Sequence, residues 1–251
     1  MSSDQNPVIV VPARLKSTRF PNKLLADVYG KPLVLVTAER IREEAPEFQI
    51  FFAVDDTQIQ EVLEENNFRT IMTDPSISSG TERIAVANKI LMNDIVINVQ
   101  ADEPLIRKEH IFKVFEGIQR PGASISTVAT FFRKESDFRD PNQVKVVLKN
   151  NGFALYFSRS PIPFARDTEE KWDGIKFLKP LKHLGIYAYK KQFLEDFLVS
   201  KESQLERVEK LEQLRALQNG YEIAVATCEN DSVGIDVPSD LKFFKTHRVN
   251  L

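Results

Sequence analysis

The sequence has few of the residues and segments that mark secreted, zinc-binding and membrane proteins. It contains one cysteine and three histidines. One cysteine cannot form an internal disulfide, which excludes a disulfide-stapled secreted scaffold, and three widely separated histidines lack the spacing of a zinc site. The first apolar run, Val8 to Val11, has four residues, whereas a membrane span needs about 20. We therefore expect a cytoplasmic protein with no signal peptide and no membrane insertion.

An excess of charge of one sign is also missing. The chain has 34 Lys and Arg against 36 Asp and Glu, which gives a formal net charge of -2. Nucleic-acid-binding proteins usually carry a basic excess, so no nucleic acid is expected as a partner. The composition is 42% hydrophobic and 28% charged, which predicts a packed core and excludes a long disordered chain.

In the first half of the chain, short β-branched runs alternate with helical patterns. The predicted strands are 8–11, 49–54, 69–72, 95–99 and 124–131, and the predicted helices are 31–44, 57–66, 81–91 and 108–119. This alternation is typical of βαβ units in a mostly parallel sheet. The fold class is therefore predicted to be α/β.

The second half has a different rhythm. Strands over 143–148 and 153–158 flank the turn Lys149-Asn-Asn-Gly152, which predicts a β-hairpin. A loop follows to Pro180, then a strand over 181–189, an amphipathic helix over 205–220, a strand over 222–227 and a last helix from Pro238. We predict one domain over 1–251, with an antiparallel insert near 132–190.

The loop after the first strand concentrates positive charge. Four cations stand within ten residues, at Arg14, Lys16, Arg19 and Lys23. Open α/β sheets bind ligands at the carboxyl ends of their strands, which favours an oligophosphate site over a solvated basic turn. The pattern G-x-x-x-x-G-K-[ST] is absent, so we expect side chains rather than backbone amides to supply the charge.

Two acidic points have both a functional and a structural interpretation. Asp102 and Glu103 end the central strand, where they could hold Mg²⁺ or pair with the cations. Asp236 precedes Pro238 and Ser239. There Asp236 could bind metal, or Asp236 or Ser239 could cap the last helix.

Two further groups also leave alternatives open. Ser79 and Glu82 match a capping box, but the same helix start could expose amides to a nucleobase or a phosphate. Arg159 and Arg166 flank the proline-rich loop, together with His183. The arginines suit a carboxylate ligand, although a surface ion-pair loop explains them equally well.

Seven motifs, taken together in order, resemble one enzyme family. They are V-P-A-R-x-x-S-T-R-x-P-x-K, S-S-G-T-E-R, V-x-Q-x-D-E-P, A-L-Y-F-S-R, H-L-G-I-Y, L-E-Q-L-R and G-I-D-x-P-x-D-L. They span nearly the whole chain, which resembles the 3-deoxy-manno-octulosonate (Kdo) cytidylyltransferases. The resemblance implies Mg²⁺-dependent transfer of CMP from CTP to an acidic eight-carbon sugar, for lipopolysaccharide assembly in Gram-negative bacteria. It also implies a Rossmann-like fold of the nucleotide-diphospho-sugar transferase type, and a cytoplasmic homodimer that pairs through the antiparallel insert.

The resemblance also assigns roles to individual residues. The metal ligands would be Asp102 and Asp236, which with Arg14 and Lys23 would form the catalytic set. CTP would be bound by Pro12, Ala13, Arg14, Arg19, Lys23, Ser79 and Gly80. The sugar would be bound by Gln100, Arg159, Arg166, His183, Tyr187, Glu212 and Gln213.

The sequence departs from the family pattern at a few positions. Asn22 and Ala101 stand where the family usually has glycine, and Asn is the residue that best replaces glycine at positive φ. The loop with Pro161 and Phe164 lacks the usual Trp, and Arg207 replaces a His. These changes cluster on the expected sugar side, so an 8-amino-8-deoxy analogue of Kdo is a second candidate substrate.

Two rival functions lead to different expectations. A sialic acid cytidylyltransferase would share the architecture but not H-L-G-I-Y with L-E-Q-L-R. A non-enzymatic nucleotide-binding regulator would have lost Lys23, Asp102 or Asp236, and the sequence contains all three.

Overall fold

The computed structural model describes residues 6–17, 19–77, 79–164, 166, 179–232 and 234–246. Contacts between Cα atoms group the chain into two compact units. The first unit comprises Met1–Ile111, Tyr189–Leu198 and Ser232–Leu251, and the second comprises Phe112–Ala188 and Val199–Asp231.

The first unit contains a parallel sheet with the strand order β6-β1-β4-β5. Residues 8–11 of β1 are almost completely buried, as expected for a strand that neighbouring strands and helices cover on all sides. The strands of this unit are β1 (Pro7–Ala13), β2 (Asp27–Val28), β3 (Lys31–Pro32), β4 (Gln49–Val54), β5 (Arg69–Met72) and β6 (Ile95–Asn98). Its helices are α1 (Leu33–Glu44), α2 (Thr57–Glu65), α3 (Gly80–Leu91) and α9 (Pro238–Thr246).

The second unit combines parallel and antiparallel pairing. Its elements are β7 (Ile125–Phe131), α5 (Glu135–Arg139), β8 (Lys145–Leu148), β9 (Ala154–Ser158), α7 (Gln204–Glu209), α8 (Gln213–Gln218) and β11 (Ile223–Thr227). Strand β11 runs parallel to β7, whereas β8 runs antiparallel to β9. Three elements contain a boundary between the units, namely α4 (Lys108–Ile118), β10 (Leu181–Lys190) and α6 (Lys191–Val199).

These elements confirm the α/β class and the mostly parallel sheet. They also confirm the hairpin, whose turn is closed by the Gly152 N–H donating to the Lys149 carbonyl at 2.9 Å. Gly152 has φ 76°, a conformation that glycine adopts without a steric penalty. β8 also pairs antiparallel with β10. Most of the loop predicted before Pro180 lies outside the described residues.

Two predicted helices are wrong in extent. The amphipathic pattern predicts one helix over 205–220. In the structure α7 ends before Lys210, which has φ 54°, and α8 is a separate helix that begins at Gln213. Val208 is 82% exposed, so the apolar positions do not share one buried face. The helix predicted from residue 31 begins at Leu33, because 27–32 form a small hairpin whose turn residues Tyr29 and Gly30 both have positive φ.

The helices of the described residues are short or polar. None of them combines the length and the apolar composition that crossing a membrane requires.

Candidate functional site

The basic loop lies directly after β1 in the first unit. Strands β4 and β6 flank β1 in parallel, so the loop stands at the edge where the carboxyl ends of three strands meet. Arg14 and Lys16 line an open cavity of about 340 Å³ together with Ser17, Pro21 and Asn22. An open, cation-lined cavity at this edge is suited to an oligophosphate.

Lys23 joins the loop to both predicted metal-binding carboxylates. Its ammonium group donates to Asp102 Oδ2 and lies 3.3 Å from Asp236 Oδ1. The Arg19 guanidinium also donates to Asp236 Oδ1, at 3.0 Å. The Lys23 side chain is only 11% exposed, whereas that of Asp236 is 51% exposed. The structure thus gathers these four residues into one charged cluster that is open to solvent on one side.

The backbone of the loop aims Lys23 inward. Asn22 has φ 54° and ψ 29°, and it precedes a single 3₁₀ turn over Lys23–Leu25. Leu24 is buried beside it and anchors the turn. The expectation that Asn replaces glycine at a left-handed position is therefore confirmed at Asn22. Ala101 is buried and is not among the residues with positive φ, so its methyl group changes the packing there rather than the backbone.

The two carboxylates come from segments that touch through their backbones. The Ile235 N–H donates to the Asp102 carbonyl at 2.9 Å. Ile235 is fully buried, in a core cluster with Val28, Leu33 and Phe244. Asp236 therefore follows an anchored residue, which holds it near Asp102.

The interpretation of Asp236 as the cap of the last helix is wrong. The Asp240 carboxylate reaches back to accept the N–H groups of Asp236 at 2.9 Å and Val237 at 3.0 Å. Asp240 thus satisfies the two amides that directly precede α9. The Asp236 carboxylate instead faces Lys23 and Arg19.

The first turn of α3 lies close to the end of β1. Ser79 caps this helix by accepting the Glu82 N–H at 3.1 Å, which is the structural one of the two interpretations that the sequence left open. A Cβ added at Gly80 would stand 3.7 Å from Pro12 Cγ. The structure therefore brings together Pro12 and Gly80, two of the residues predicted to bind CTP, while Ala13 is fully buried in β1.

Asp55 and Arg83 support this region, although no sequence pattern assigned a role to either residue. Arg83 is 2% exposed and donates to Asp55 Oδ2 at 3.2 Å, to the Ile77 carbonyl at 3.0 Å and to the Thr73 hydroxyl. Asp55 also accepts the Leu15 N–H from the basic loop at 2.9 Å. Burial lowers the pKa of Arg83, and the neighbouring Asp55 charge opposes that shift. The only sequence signal was an Arg inside S-S-G-T-E-R.

The residues predicted to bind sugar fall in both units, and only Gln100 belongs to the first. Its Nε2 donates to Asn98 Oδ1 at 3.3 Å. In the second unit, the Arg159 guanidinium donates to the carbonyls of Glu209 at 2.7 Å, Pro141 at 3.0 Å and Lys210 at 3.3 Å. These acceptors are neutral carbonyls, and among the described residues the Arg159 guanidinium has no carboxylate in direct contact.

His183 stands between two aromatic rings. Its ring centroid lies 5.1 Å from that of Phe157 and 5.2 Å from that of Tyr187, and its Nε2 lies 3.1 Å from Thr127 Oγ1. Desolvation lowers the pKa of His183 to about 3. The imidazole is therefore neutral at physiological pH, and it suits a hydroxyl better than a carboxylate.

Three further predicted sugar residues lie on the second unit. Arg166 is exposed. Glu212 stands at the start of α8 and makes no side-chain cap hydrogen bond there. The Nε2 atom of Gln213 is buried without a hydrogen-bond partner among the described residues. A buried amide donor without a partner is costly, and a ligand oxygen would satisfy it.

The acidic pair offers few ligands for a metal. The described residues contain no group of three or more His, Cys, Asp or Glu side chains that could hold a metal ion. Asp102 and Asp236 supply two carboxylates at one ammonium. This donor set fits Mg²⁺, which is often held by one or two carboxylates together with phosphate oxygens and water.

The chain is similar to known proteins over nearly its whole length. Residues 8–223 match a family model described as cytidylyltransferase. A 3-deoxy-manno-octulosonate cytidylyltransferase from Thermodesulfovibrio yellowstonii is 44% identical, over 94% of this chain and 95% of the relative. An 8-amino-3,8-dideoxy-manno-octulosonate cytidylyltransferase from Shewanella putrefaciens is 41% identical, over 94% and 96%. A solved CMP:2-keto-3-deoxy-manno-octonic acid synthetase in complex with CTP is 34% identical, with a TM-score of 0.88 over 97% of this chain and 98% of the other.

Proposed function

The chain belongs to the 3-deoxy-manno-octulosonate cytidylyltransferase family, and on this premise we propose that it transfers CMP from CTP to Kdo or its 8-amino analogue. The anomeric hydroxyl oxygen of the sugar attacks the α-phosphorus of CTP. A new oxygen–phosphorus bond forms, the bond between the α-phosphorus and the bridging oxygen breaks, and pyrophosphate leaves with the electron pair. The activated sugar serves lipopolysaccharide assembly.

The cluster around Lys23 is the observation that carries this proposal. One ammonium group contacts Asp102 and Asp236 beside a loop with three further cations, Arg14, Lys16 and Arg19. Phosphoryl transfer needs positioning and neutralisation of charge more than a covalent nucleophile. Such a cluster provides both.

Each cationic side chain has its own task. Arg14 and Lys16, which line the open cavity, bind the triphosphate. The exposed Arg19 contributes a further positive charge to the binding of the same anion. Lys23 is buried, so its charge acts in a less polar environment and stabilises charge that develops on the phosphates. Pro12, Ser79 and Gly80 would contact the cytosine, and Ala13, which is fully buried in β1, would support Pro12 from beneath.

Asp102 and Asp236 would hold Mg²⁺. When bound, the metal neutralises phosphate charge and acts as a Lewis acid. Lys23 keeps the two carboxylates next to each other before the substrate arrives. The sugar hydroxyl loses its proton during the attack, and solvent receives it.

Most of the residues that the resemblance assigns to the sugar belong to the second unit. The Arg159 guanidinium donates to backbone carbonyls, which do not neutralise its charge. Its positive charge therefore favours binding of an anion such as the C1 carboxylate of the sugar. Gln213 offers its buried amide, and His183 offers a neutral ring to sugar hydroxyls. The remaining sugar residues are Gln100, Arg166, Tyr187 and Glu212.

We also propose that the enzyme is a cytoplasmic homodimer that pairs through its antiparallel insert. The proposal rests on the family resemblance, and Leu155 on β9, a large apolar side chain that is 55% exposed, is a candidate residue for the contact. Light scattering after size-exclusion chromatography tests the oligomeric state.

Pyrophosphate release tests the reaction. With CTP, Mg²⁺ and Kdo, we expect release that needs all three components, and mass spectrometry should find the CMP-sugar. The same assay without sugar controls for hydrolysis of CTP. Release that does not depend on the acid sugar would contradict the proposed function.

A further inference from the structure

A buried hydrogen bond links the segments that carry Asp102 and Asp236. The Ser232 hydroxyl donates to Glu103 Oε2 at 2.8 Å. Ser232 is 7% exposed and Glu103 is 8% exposed. Neither residue has a role in the proposed reaction.

Two further observations place the same two segments against each other. The Ile235 N–H donates to the Asp102 carbonyl at 2.9 Å. A Cβ added at Gly234 would meet Glu103 Cγ at 3.7 Å and the Asp102 carbonyl at 3.9 Å. Glu103 is the neighbour of Asp102 in sequence, and Ser232 stands four positions before Asp236. The contacts therefore join the backbone at Asp102 and Glu103 to the residues just before Asp236.

The carboxylate of Asp236 is half exposed. Among the described residues its side chain contacts Lys23 and Arg19, and its N–H donates to Asp240 at 2.9 Å. A metal site requires its ligands to stay within a fraction of an ångström of the binding geometry. The backbone that carries Asp236 therefore contributes to the position of the carboxylate, in addition to Lys23 and Arg19.

We infer that the hydrogen bond from Ser232 to Glu103 positions Asp236 relative to Asp102, and so sets the affinity of the carboxylate pair for a divalent cation. The inference rests on the proposed function, in which this pair holds Mg²⁺. Ser232 and Glu103 are positioning residues, because they act through the backbone of the two ligands. Loss of the Ser232 hydroxyl should weaken binding of the cation about fivefold. This is less than the roughly tenfold loss expected when a group that hydrogen-bonds a metal ligand directly is removed.

The experiment measures cation binding without turnover. Mn²⁺ is titrated into the protein with saturating CTP and no sugar, and electron paramagnetic resonance follows the free ion. The variants are Ser232→Ala, which removes the hydroxyl, and Ser232→Thr, which retains it. Ser126→Ala is the matched control, because Ser126 is also buried and donates to the Val114 carbonyl in the second unit.

We expect the Kd for Mn²⁺ to rise about fivefold in Ser232→Ala and to stay within twofold of wild type in Ser232→Thr and Ser126→Ala. The Mg²⁺ concentration for half-maximal pyrophosphate release should move in parallel. An unchanged Kd in Ser232→Ala would overturn the inference, and so would an equal rise in Ser126→Ala or no recovery in Ser232→Thr.

The experiment also separates this inference from the proposed function. A wild-type protein that binds no Mn²⁺ with CTP, or releases no pyrophosphate with sugar, contradicts the proposed function and the inference with it. A wild-type protein that does both, beside a Ser232→Ala variant with wild-type affinity, overturns the inference alone.

Discussion

At the scale of single residues, the site depends on a lysine shared between two carboxylates. Lys23 is held by a left-handed residue before it and by a buried leucine after it. Its contacts with Asp102 and Asp236 place two carboxylates, which suit a cation, beside an ammonium group, which suits an anionic substrate. A small number of side chains can therefore assemble the triphosphate and its metal.

The two carboxylates should be needed for turnover. Asp102→Asn and Asp236→Asn each remove one negative charge at the metal, and each should lower kcat by about a hundredfold or more. Initial rates of pyrophosphate release at saturating Mg²⁺ measure this effect. Asp231→Asn is the control, since Asp231 pairs with Lys182 elsewhere and should keep its rate. A near-wild-type rate for either site variant would remove that residue from the metal site.

Lys23 should act mainly in the transition state. Lys23→Ala should lower kcat by at least tenfold and raise KM for CTP by less, because its buried charge stabilises developing charge. Lys16→Ala, at the exposed rim of the cavity, should raise KM more than it lowers kcat. Steady-state kinetics with varied CTP separates the two. A higher KM with unchanged kcat in Lys23→Ala would make Lys23 a ground-state contact.

At the scale of elements, strand ends and helix starts are tied together by buried polar contacts. Asp55 follows β4 and joins Arg83 on α3 to the amide of Leu15 after β1. The basic loop is therefore attached to the helix that begins at Gly80. The contacts of Glu103 with Ser232 do the same for the segments that carry the carboxylates.

Removing the charge of Asp55 should destabilise the protein strongly. Asp55→Asn leaves the buried Arg83 guanidinium without a carboxylate, which should cost about 3–5 kcal/mol in the free energy of unfolding. Glu39→Gln is the control, because the pair of Lys31 and Glu39 is exposed and should cost less than about 1 kcal/mol. Urea unfolding measures both. Equal losses in the two variants would contradict the structural role of Asp55.

At the scale of the whole molecule, stability should depend on pH through His183. Its pKa is about 3 in the folded chain, against an ordinary value of 6.5. The unfolded chain therefore binds the proton more tightly, and the free energy of unfolding falls as pH decreases from about 6.5 toward 3. At pH 5 the loss should be about 2 kcal/mol.

Urea unfolding at pH 7.5 and pH 5.0 tests this dependence. Wild type and His183→Gln are compared, and the loss between the two pH values should be smaller in the variant by about 2 kcal/mol. The same loss in both proteins would show that other groups cause the dependence.

The choice of sugar is also a property of the whole enzyme. The departures at Ala101, Pro161 and Phe164, on the expected sugar side, favour the 8-amino sugar, so kcat/KM for it should at least equal that for Kdo at saturating CTP. The physical basis is that an ammonium at C8 loses water on binding and needs a nearby acceptor, for which Glu212 is the candidate. A tenfold preference for Kdo would make this an ordinary Kdo enzyme.

The sequence by itself determined the features that depend on short-range patterns. Alternating strands and helices, the turn at Gly152 and the left-handed Asn22 each follow from the preferences of neighbouring residues. Parallel pairing then places the ends of β1 and β6 at one edge, so the nearness of the basic loop to Asp102 was also predictable.

Only the tertiary structure decided which side chains meet. Lys23 contacts Asp236 across 213 positions of the chain, and Asp240 accepts the N–H of Asp236 just before the last helix. The sequence pattern also did not predict the break between α7 and α8, or the ion pair of Asp55 with Arg83. Periodicity reports which face of an element is apolar, but it has no information on distances between distant segments. Those distances are set by packing of the folded chain, which brings the carboxylates to one lysine.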